Sequence, residues 1–294
     1  MKRSFLTICL ALLSFSWYAQ GLENIILEYY YVSDANDATD TDGGSLAEGS
    51  ITYRVYVDMA PGYELQAVYG NGNHELRIET STLFFNNVDR GEITGGAIPH
   101  NRIDENTVAL DSWITMNGAT TLRFGVPKAN DIDGSLVGGA NNDGGSESIP
   151  GGLIVNNDAL AGTPLTNADG LIVGTVPNIT IVGLDLSIFD NVNAGPVFSA
   201  NGGAWSVLEG VQGPTADNVV LIGQFTTDGA FSYQLNVQLG IPGGGTEQYV
   251  ASNPIGNEQF FTALSFPIIF TGEGCTSPTA CNFDPAATVE DGSC

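Results

Sequence analysis

The sequence predicts an all-β fold: a large β-sandwich of the jelly-roll or immunoglobulin-like kind, followed by a short cysteine-stapled segment. Three observations carry this. Apolar and polar residues alternate over many short windows, clusters of Gly, Asn, Asp and Pro separate those windows, and beyond the N-terminal stretch no window has the 3.6-residue period of an amphipathic helix. Apolar residues are 43% of the 294, enough to fill a large core, and charged residues only 14%, which excludes a disordered polyelectrolyte.

Residues 1–19 read as an export signal. Lys2 and Arg3 form a basic start, Phe5 to Phe15 is apolar apart from small or thiol residues, and Ala19 is a small residue at which cleavage would leave Gln20 first. This stretch is too short for a membrane anchor, and no later segment has the ~18 uninterrupted apolar residues of a spanning helix.

Strand signals then follow in order. Asn24 to Val32 is the first, and Ile51 to Met59 the second, with Ile51, Tyr53, Val55 and Val57 on the inner face. Glu64 to Tyr69, Glu75 to Thr82, Val108 to Thr115, Thr121 to Val126, Asn178 to Leu186, Ala204 to Leu208 and Phe260 to Phe270 are further candidates. Phe231 to Leu239 alternates most cleanly, placing Phe231, Tyr233, Leu235, Val237 and Leu239 inward and Ser232, Gln234, Asn236 and Gln238 toward water. Asp228-Gly229 ahead of it predicts a hairpin with the strand Val219 to Thr226. Residues 129–152, rich in Gly, Asn, Asp and Ser, interrupt the series, and a split near 130–150 is the alternative to one domain over residues 20–272.

The charge is one-sided. Eight Lys and Arg stand against 33 Asp and Glu, and Lys128 is the last cation of any kind. Such a surface repels phosphate backbones and anionic headgroups, so nucleic acid and anionic membrane surfaces are excluded as partners. It attracts divalent cations or keeps the chain soluble in salt.

Asp34, Asp37, Asp40 and Asp42 crowd one segment before Gly43-Gly44. Carboxylates so close repel unless a hard cation neutralises them, and calcium takes six to eight oxygens. Asp40-x-Asp42-Gly43 matches the second half of a D-x-D-x-D-G loop, with Ala38 in the first ligand position; the competing reading is a solvated acidic turn. Residues 130–134, Asn-Asp-Ile-Asp-Gly, repeat the pattern with Ala129 in that position.

Catalysis finds little to build on. His74 and His100 are the two histidines, and there is no nucleophile elbow, zinc motif, phosphate loop or CxxC pair. Trp113 and Trp205 sit in strand-like runs and are expected in the core. Tyr30, Tyr56 and Tyr63 lie off the apolar phase of their neighbours and are expected on display, where they could stack on sugar rings. Asn178-Ile-Thr180 is a formal glycosylation sequon.

The tail reads GCTSPTACNFDPAATVEDGSC over residues 274–294. It resembles a short cysteine repeat of secreted Bacteroidetes proteins that are often exported by type IX secretion; Ser277 stands where that repeat usually has Asp. The phrases YYYVSDANDATDTDGG (29–44), ITYRVYVDMAPGYELQAVYGN (51–71), LDSWITM (110–116) and VLIGQFTTDG (220–229) resemble an extracellular domain of such proteins. The resemblance implies a secreted or cell-surface location and no established activity. Residues 273–294 are too few to bury a core, so disulfides or metal must hold them. Cys275 with Cys294 would close the module and leave Cys281 a partner beyond the chain; Cys275 with Cys281 is the competing bridge. A chain continuing past Cys294 is expected, and Asn282, Asp284, Glu290 and Asp291 could form an oxygen cage for calcium. The expected function is non-catalytic, structural or adhesive, with polysaccharide or a cell-surface protein as partner. The alternative is a carbohydrate-binding module of a larger secreted enzyme.

Overall fold

The computed structural model describes residues 20–33, 35, 37–39, 43–99, 102, 106–121, 123–127, 172, 176–267, 272–274 and 287–290. Among them the chain is all-β, its helical elements being short 3-10 turns, and its sheets do not close into a barrel. This is the architecture expected of a β-sandwich.

The first layer is a four-stranded antiparallel sheet. Strands β1 (Leu22–Val32) and β2 (Ile51–Met59) pair from Leu22↔Met59 to Val32↔Ile51. β2 is flanked on its other side by β11 (Val219–Thr227), which in turn pairs with the two-residue β5 (Trp113–Ile114).

The second layer is one long sheet bent in the middle. Three chain runs pass through the bend. β3 (Glu64–Gly70) leads into β4 (Leu76–Thr80), β9 (Val197–Ala200) into β10 (Gly203–Val211), and β12 (Phe231–Gln234) into β13 (Asn236–Gly240). Their registers run on across the break: Phe231↔Thr80 and Gln234↔Arg77 on one side, Val237↔Val68 and Gly240↔Glu64 on the other. β8 (Thr180–Val182), β14 (Thr246–Val250) and β15 (Gln259–Phe260) extend the half that holds β3, and β16 (Ser265–Phe266) extends the other.

The bend has an identifiable cause. Residues 71–74 form a tight loop in which the Asn71 side chain accepts from the backbone N–H of Asn73 and His74 at 2.8 and 2.9 Å. Leu235 separates β12 from β13, and Asn236 turns inward, its Nδ2 lying 3.1, 3.4 and 3.2 Å from the carbonyls of Tyr69, His74 and Glu75. Asn236 is fully buried and not water-facing as the alternation predicted. The bend gathers three carbonyls at one point; that of His74 also takes the Asn71 N–H at 2.8 Å and that of Glu75 the Gln234 Nε2 at 3.1 Å, and the amide adds its two donors to the group. At Gly70 a Cβ would sit 2.0 Å from the Ala200 carbonyl oxygen, so the close approach of these two runs requires glycine.

Between the layers lies one core. Tyr53, Val55 and Val57 of β2 meet Leu65, Val68, Trp205, Leu239 and Tyr249 of the bent sheet. Phe231 stacks on Tyr53 and Phe225 at centroid separations of 4.7 and 5.5 Å, and Phe84 and Phe189 pack edgewise around them. The described residues between 85 and 126, apart from β5, run across the other side of the first sheet. They bring the 3-10 turn Asn106–Leu110 and the short pair β6 (Gly118–Thr120) and β7 (Arg123–Phe124). Ile98, Val108 and Ala119 there cover Tyr56, Trp113 and Leu221, so β2 and β11 are buried on both faces. Val108 to Thr115, expected as a strand, is instead the end of a 3-10 turn, a two-residue link and the short β5. The Asp228-Gly229 turn also differs from expectation: β11 belongs to the first sheet and β12 to the bent one, so the turn is a corner between layers, not a hairpin.

Near the C-terminus β17 (Gly272–Gly274) and β18 (Ala287–Glu290) pair in parallel, drawing together the two ends of the segment between them. Cys275, Cys281 and Cys294 lie outside the described residues.

Candidate functional site

Residues 33–50 connect β1 to β2, and the connection is closed at its base. The Ser33 N–H donates to the Ser50 carbonyl at 2.8 Å, the Gly49 N–H to the Ser33 carbonyl at 2.9 Å, and both serine hydroxyls reach the Ala47 carbonyl. Asp37 opens a 3-10 turn, Asp37–Thr39, and points inward: it is 5% exposed, accepts from the Tyr31 hydroxyl at 2.8 Å, and its carbonyl takes the Leu46 N–H. Of the four predicted calcium ligands in this loop, Asp37 thus anchors the base. Asp34, Asp40 and Asp42 lie outside the described residues. At the far end Gly43, with φ +89°, approaches the Asn87 amide so closely that a Cβ would meet it at 2.3 Å.

A groove of about 420 Å³ opens beside this loop. Four parts of the chain line it: the Ser45–Ser50 turn, residues 82–86, Ala194 and the corner at Thr227-Asp228. Residues 84–86 are tied on both sides. The Phe84 N–H donates to the Gly195 carbonyl and the Phe85 N–H to the Thr226 carbonyl, and Asn86 Nδ2 reaches the carbonyls of Ile188 and Asn193 at 2.7 and 2.6 Å. Both amide protons of Asn86 are thereby spent, and its buried Oδ1 has no partner among the described residues. The Thr82 hydroxyl donates to Asp228 Oδ1 at 2.6 Å and lies 3.0 Å from that of Thr227, which is 2.7 Å from the Thr80 hydroxyl. Leu83 is 54% exposed.

No motif in the sequence marks Thr82, Leu83 or Asn86. They come together with Ser45 and Asp228 only through the crossing of distant segments, and no local spacing announces that.

Three buried ionisable groups also stand out. Arg54, on the covered face of β2, donates through Nε to Gln224 Oε1 at 2.9 Å, and its guanidinium lies 3.7 Å from the centroid of the Tyr30 ring. Burial works against its charge, but Tyr30, Tyr56 and Glu28 nearby outweigh this and raise its pKa. Asp111 is fully buried and accepts from the backbone N–H of Asn87 and Glu92 at 2.8 and 3.0 Å. Burial pushes its carboxyl well above the usual range against the pull of those bonds. His74 Nε2 lies 2.7 Å from Glu258 Oε2, which also takes the Ile255 N–H and so clips the 251–258 loop to the bend. His100 lies outside the described residues.

The tyrosines expected on display are core residues: Tyr30, Tyr56 and Tyr63 are 4%, 0% and 9% exposed. For Tyr30 and Tyr56 the physical reason is the second cover over the first sheet, which turns its polar-phase positions inward, while Tyr63, just ahead of β3, packs in the main core; the Tyr56 hydroxyl lies within 3.1 Å of both Glu28 Oε2 and the Val126 carbonyl. Trp113 and Trp205 are buried as expected, while Tyr29 is 55% exposed.

A second groove of about 840 Å³ carries Glu23, Glu28, Asp58 and Asp217. Burial, then Glu23 and Asp217, raise the pKa of Asp58 there. Among the described residues no group of three or more His, Cys, Asp or Glu side chains is arranged to hold a metal ion, and no helix is long and apolar enough to cross a membrane. Of the tail residues read as an oxygen cage, Glu290 is placed by its backbone at the end of β18, and Asn282, Asp284 and Asp291 lie outside the described residues. No protein-family model, curated protein or solved structure matches the chain.

Proposed function

We propose that this chain is a non-catalytic extracellular protein, displayed on or released from a bacterial cell envelope, that acts through structure or adhesion. The observation that carries the reading is how its buried ionisable groups are used. Asp111 holds the backbone of residues 87–92, Arg54 holds Gln224 and stacks on Tyr30, and His74 clips a loop through Glu258. An acid or base that turns over substrate needs room for a reacting atom within hydrogen-bond reach. Each of these groups instead closes a piece of the fold. The N-terminal export signal and the resemblance of residues 274–294 to a secreted cysteine repeat support the compartment.

Calcium belongs to this reading as a stabiliser of the acidic loop at Asp34, Asp37, Asp40 and Asp42, and of the tail at Asn282, Asp284, Glu290 and Asp291, all of them hard oxygen donors. The partner is polysaccharide or a cell-surface protein. The second reading, a carbohydrate-binding module of a larger secreted enzyme, is favoured by the polar groove beside the loop. The chain from Gln20 onward, assayed on polysaccharide, peptide and ester substrates, is expected to turn over none. A turnover abolished by one exposed-carboxylate substitution, with folding retained, would overturn the proposal.

A further inference from the structure

The groove between the Ser45–Ser50 turn, residues 82–86 and the Thr227-Asp228 corner combines features that no structural role in the sandwich demands. Its volume, about 420 Å³, falls toward the small end of the range of pockets that take small molecules. Its polar lining is hydroxyl, amide and carboxylate, and no Lys, Arg or His contributes to it. Asn86 is nine-tenths buried and held by its two donated bonds, which fixes the wall that residues 84–86 form. The hydroxyl of Thr82 is oriented by Asp228 and Thr227. Beside these groups stand apolar surfaces, the exposed Leu83 and the half-buried Phe85.

The chemistry that matches is specific. A sugar ring offers many hydroxyls that both donate and accept, together with an apolar C–H face, and it carries no net charge unless it bears a uronate or sulfate. A carboxylate at Asp228 and an oriented hydroxyl at Thr82 answer the ring hydroxyls, while Leu83 and Phe85 answer the C–H face. An anionic glycan would meet Asp228 with no cation to balance it. A purely apolar ligand would leave the carboxylate and hydroxyls desolvated and unpaired.

From this we infer that the groove is a subsite for a neutral saccharide of mono- or disaccharide length, most plainly the end or one exposed unit of a longer chain. The inference rests on the adhesive reading above and names its partner. The Ser45–Ser50 turn is continuous with the acidic loop, so loop order bears on one wall of the groove directly.

The test uses residues 20–294 and isothermal titration with neutral hexaoses of β-1,4-glucan, β-1,3-glucan, mannan, xylan and chitin type, with polygalacturonate as the anionic control. Ala47→Trp places a bulky ring on the exposed rim, and Leu83→Asp removes the apolar face. Leu208→Asp, at a side chain 93% exposed outside the groove, controls for charge. The expected result is saturable binding of at least one neutral hexaose and none of polygalacturonate. Each groove variant weakens that binding by about tenfold or more, the control leaves it unchanged, and all three melt as the parent does. Binding indifferent to both groove variants overturns the inference, as does absence of binding to every hexaose. Neither result touches the non-catalytic reading, which fails only on measured turnover.

Discussion

The bend in the long sheet makes Asn236 the side chain whose loss the fold should feel most sharply for its size. Asn236→Ala removes two N–H donors from a site where three carbonyls lie at 3.1 to 3.4 Å, and removes the acceptor that the Ala251 N–H reaches at 3.4 Å. The His74 carbonyl still takes the Asn71 N–H and the Glu75 carbonyl the Gln234 Nε2, so the Tyr69 carbonyl and the Ala251 N–H lose their side-chain partner, at roughly 1–3 kcal/mol each, taken at the lower half because the bonds are long. The expected loss is about 2–4 kcal/mol. For a domain of this size that is a fall in Tm of roughly 5–15 °C by calorimetry. Asn236→Asp is the sharper probe. A carboxylate facing carbonyl dipoles is disfavoured, so its folded pKa rises above its unfolded value of about 4. The variant's stability is then highest below that unfolded pKa and is lost as pH rises through the folded one. A melt of Asn236→Ala within about 2 °C of the parent, or an Asn236→Asp variant with no added pH dependence, would mean that the amide is not what holds the bend.

Three further outcomes are expected. Arg54→Met leaves Gln224 Oε1 without its donor and Tyr30 without its cation, and should lower stability by about 2–4 kcal/mol in urea unfolding. Arg54→Lys should recover little of this, because an ammonium cannot stack and donate in the same fork geometry. Asp58→Asn should stabilise the protein at neutral pH. The folded pKa of Asp58 is raised by burial, Glu23 and Asp217, so its stability contribution is lost as pH rises from the unfolded value through the folded one; parent and variant melts should converge below the unfolded pKa. Chelator should lower the Tm of the parent, and Asp40→Ala with Asp42→Ala should erase that difference; identical parent melts with and without chelator would leave the loop a solvated acidic turn.

Much of the strand content was legible in the sequence, because period-two alternation survives wherever one face of a strand meets the core. Asn24 to Val32, Ile51 to Met59, Glu64 to Tyr69 and Glu75 to Thr82 lie within a residue or two of β1 to β4. β14 and β9 escaped notice; Thr246–Val250 puts two exposed positions and Val197–Ala200 an exposed valine where the pattern wants apolar burial. The continuous alternation of Phe231 to Leu239 concealed the bend, since Asn236 sits on the polar phase and only tertiary carbonyls reveal that it is buried. The groove residues were illegible for the same reason: Ser45, Asn86 and Asp228 are distant in sequence and joined only by the crossing of layers.

The misplaced tyrosines carry a more general argument. Alternation reports which phase of a strand meets apolar neighbours when one face is wet, and it loses meaning when both faces are covered. On the face of the first sheet away from the main core, Thr52, Arg54 and Tyr56 of β2 and Gln224 and Thr226 of β11 are polar, yet all are buried. Described residues between 85 and 126 lie over them, and polar groups beneath such a cover must be paired side by side: Arg54 with Gln224, Thr52 with Thr226 at 2.8 Å, and Gln224 Nε2 with the Ala109 and Asp111 carbonyls. That requirement explains why a surface-like phase in these strands encodes attachment of a cover, not exposure to water.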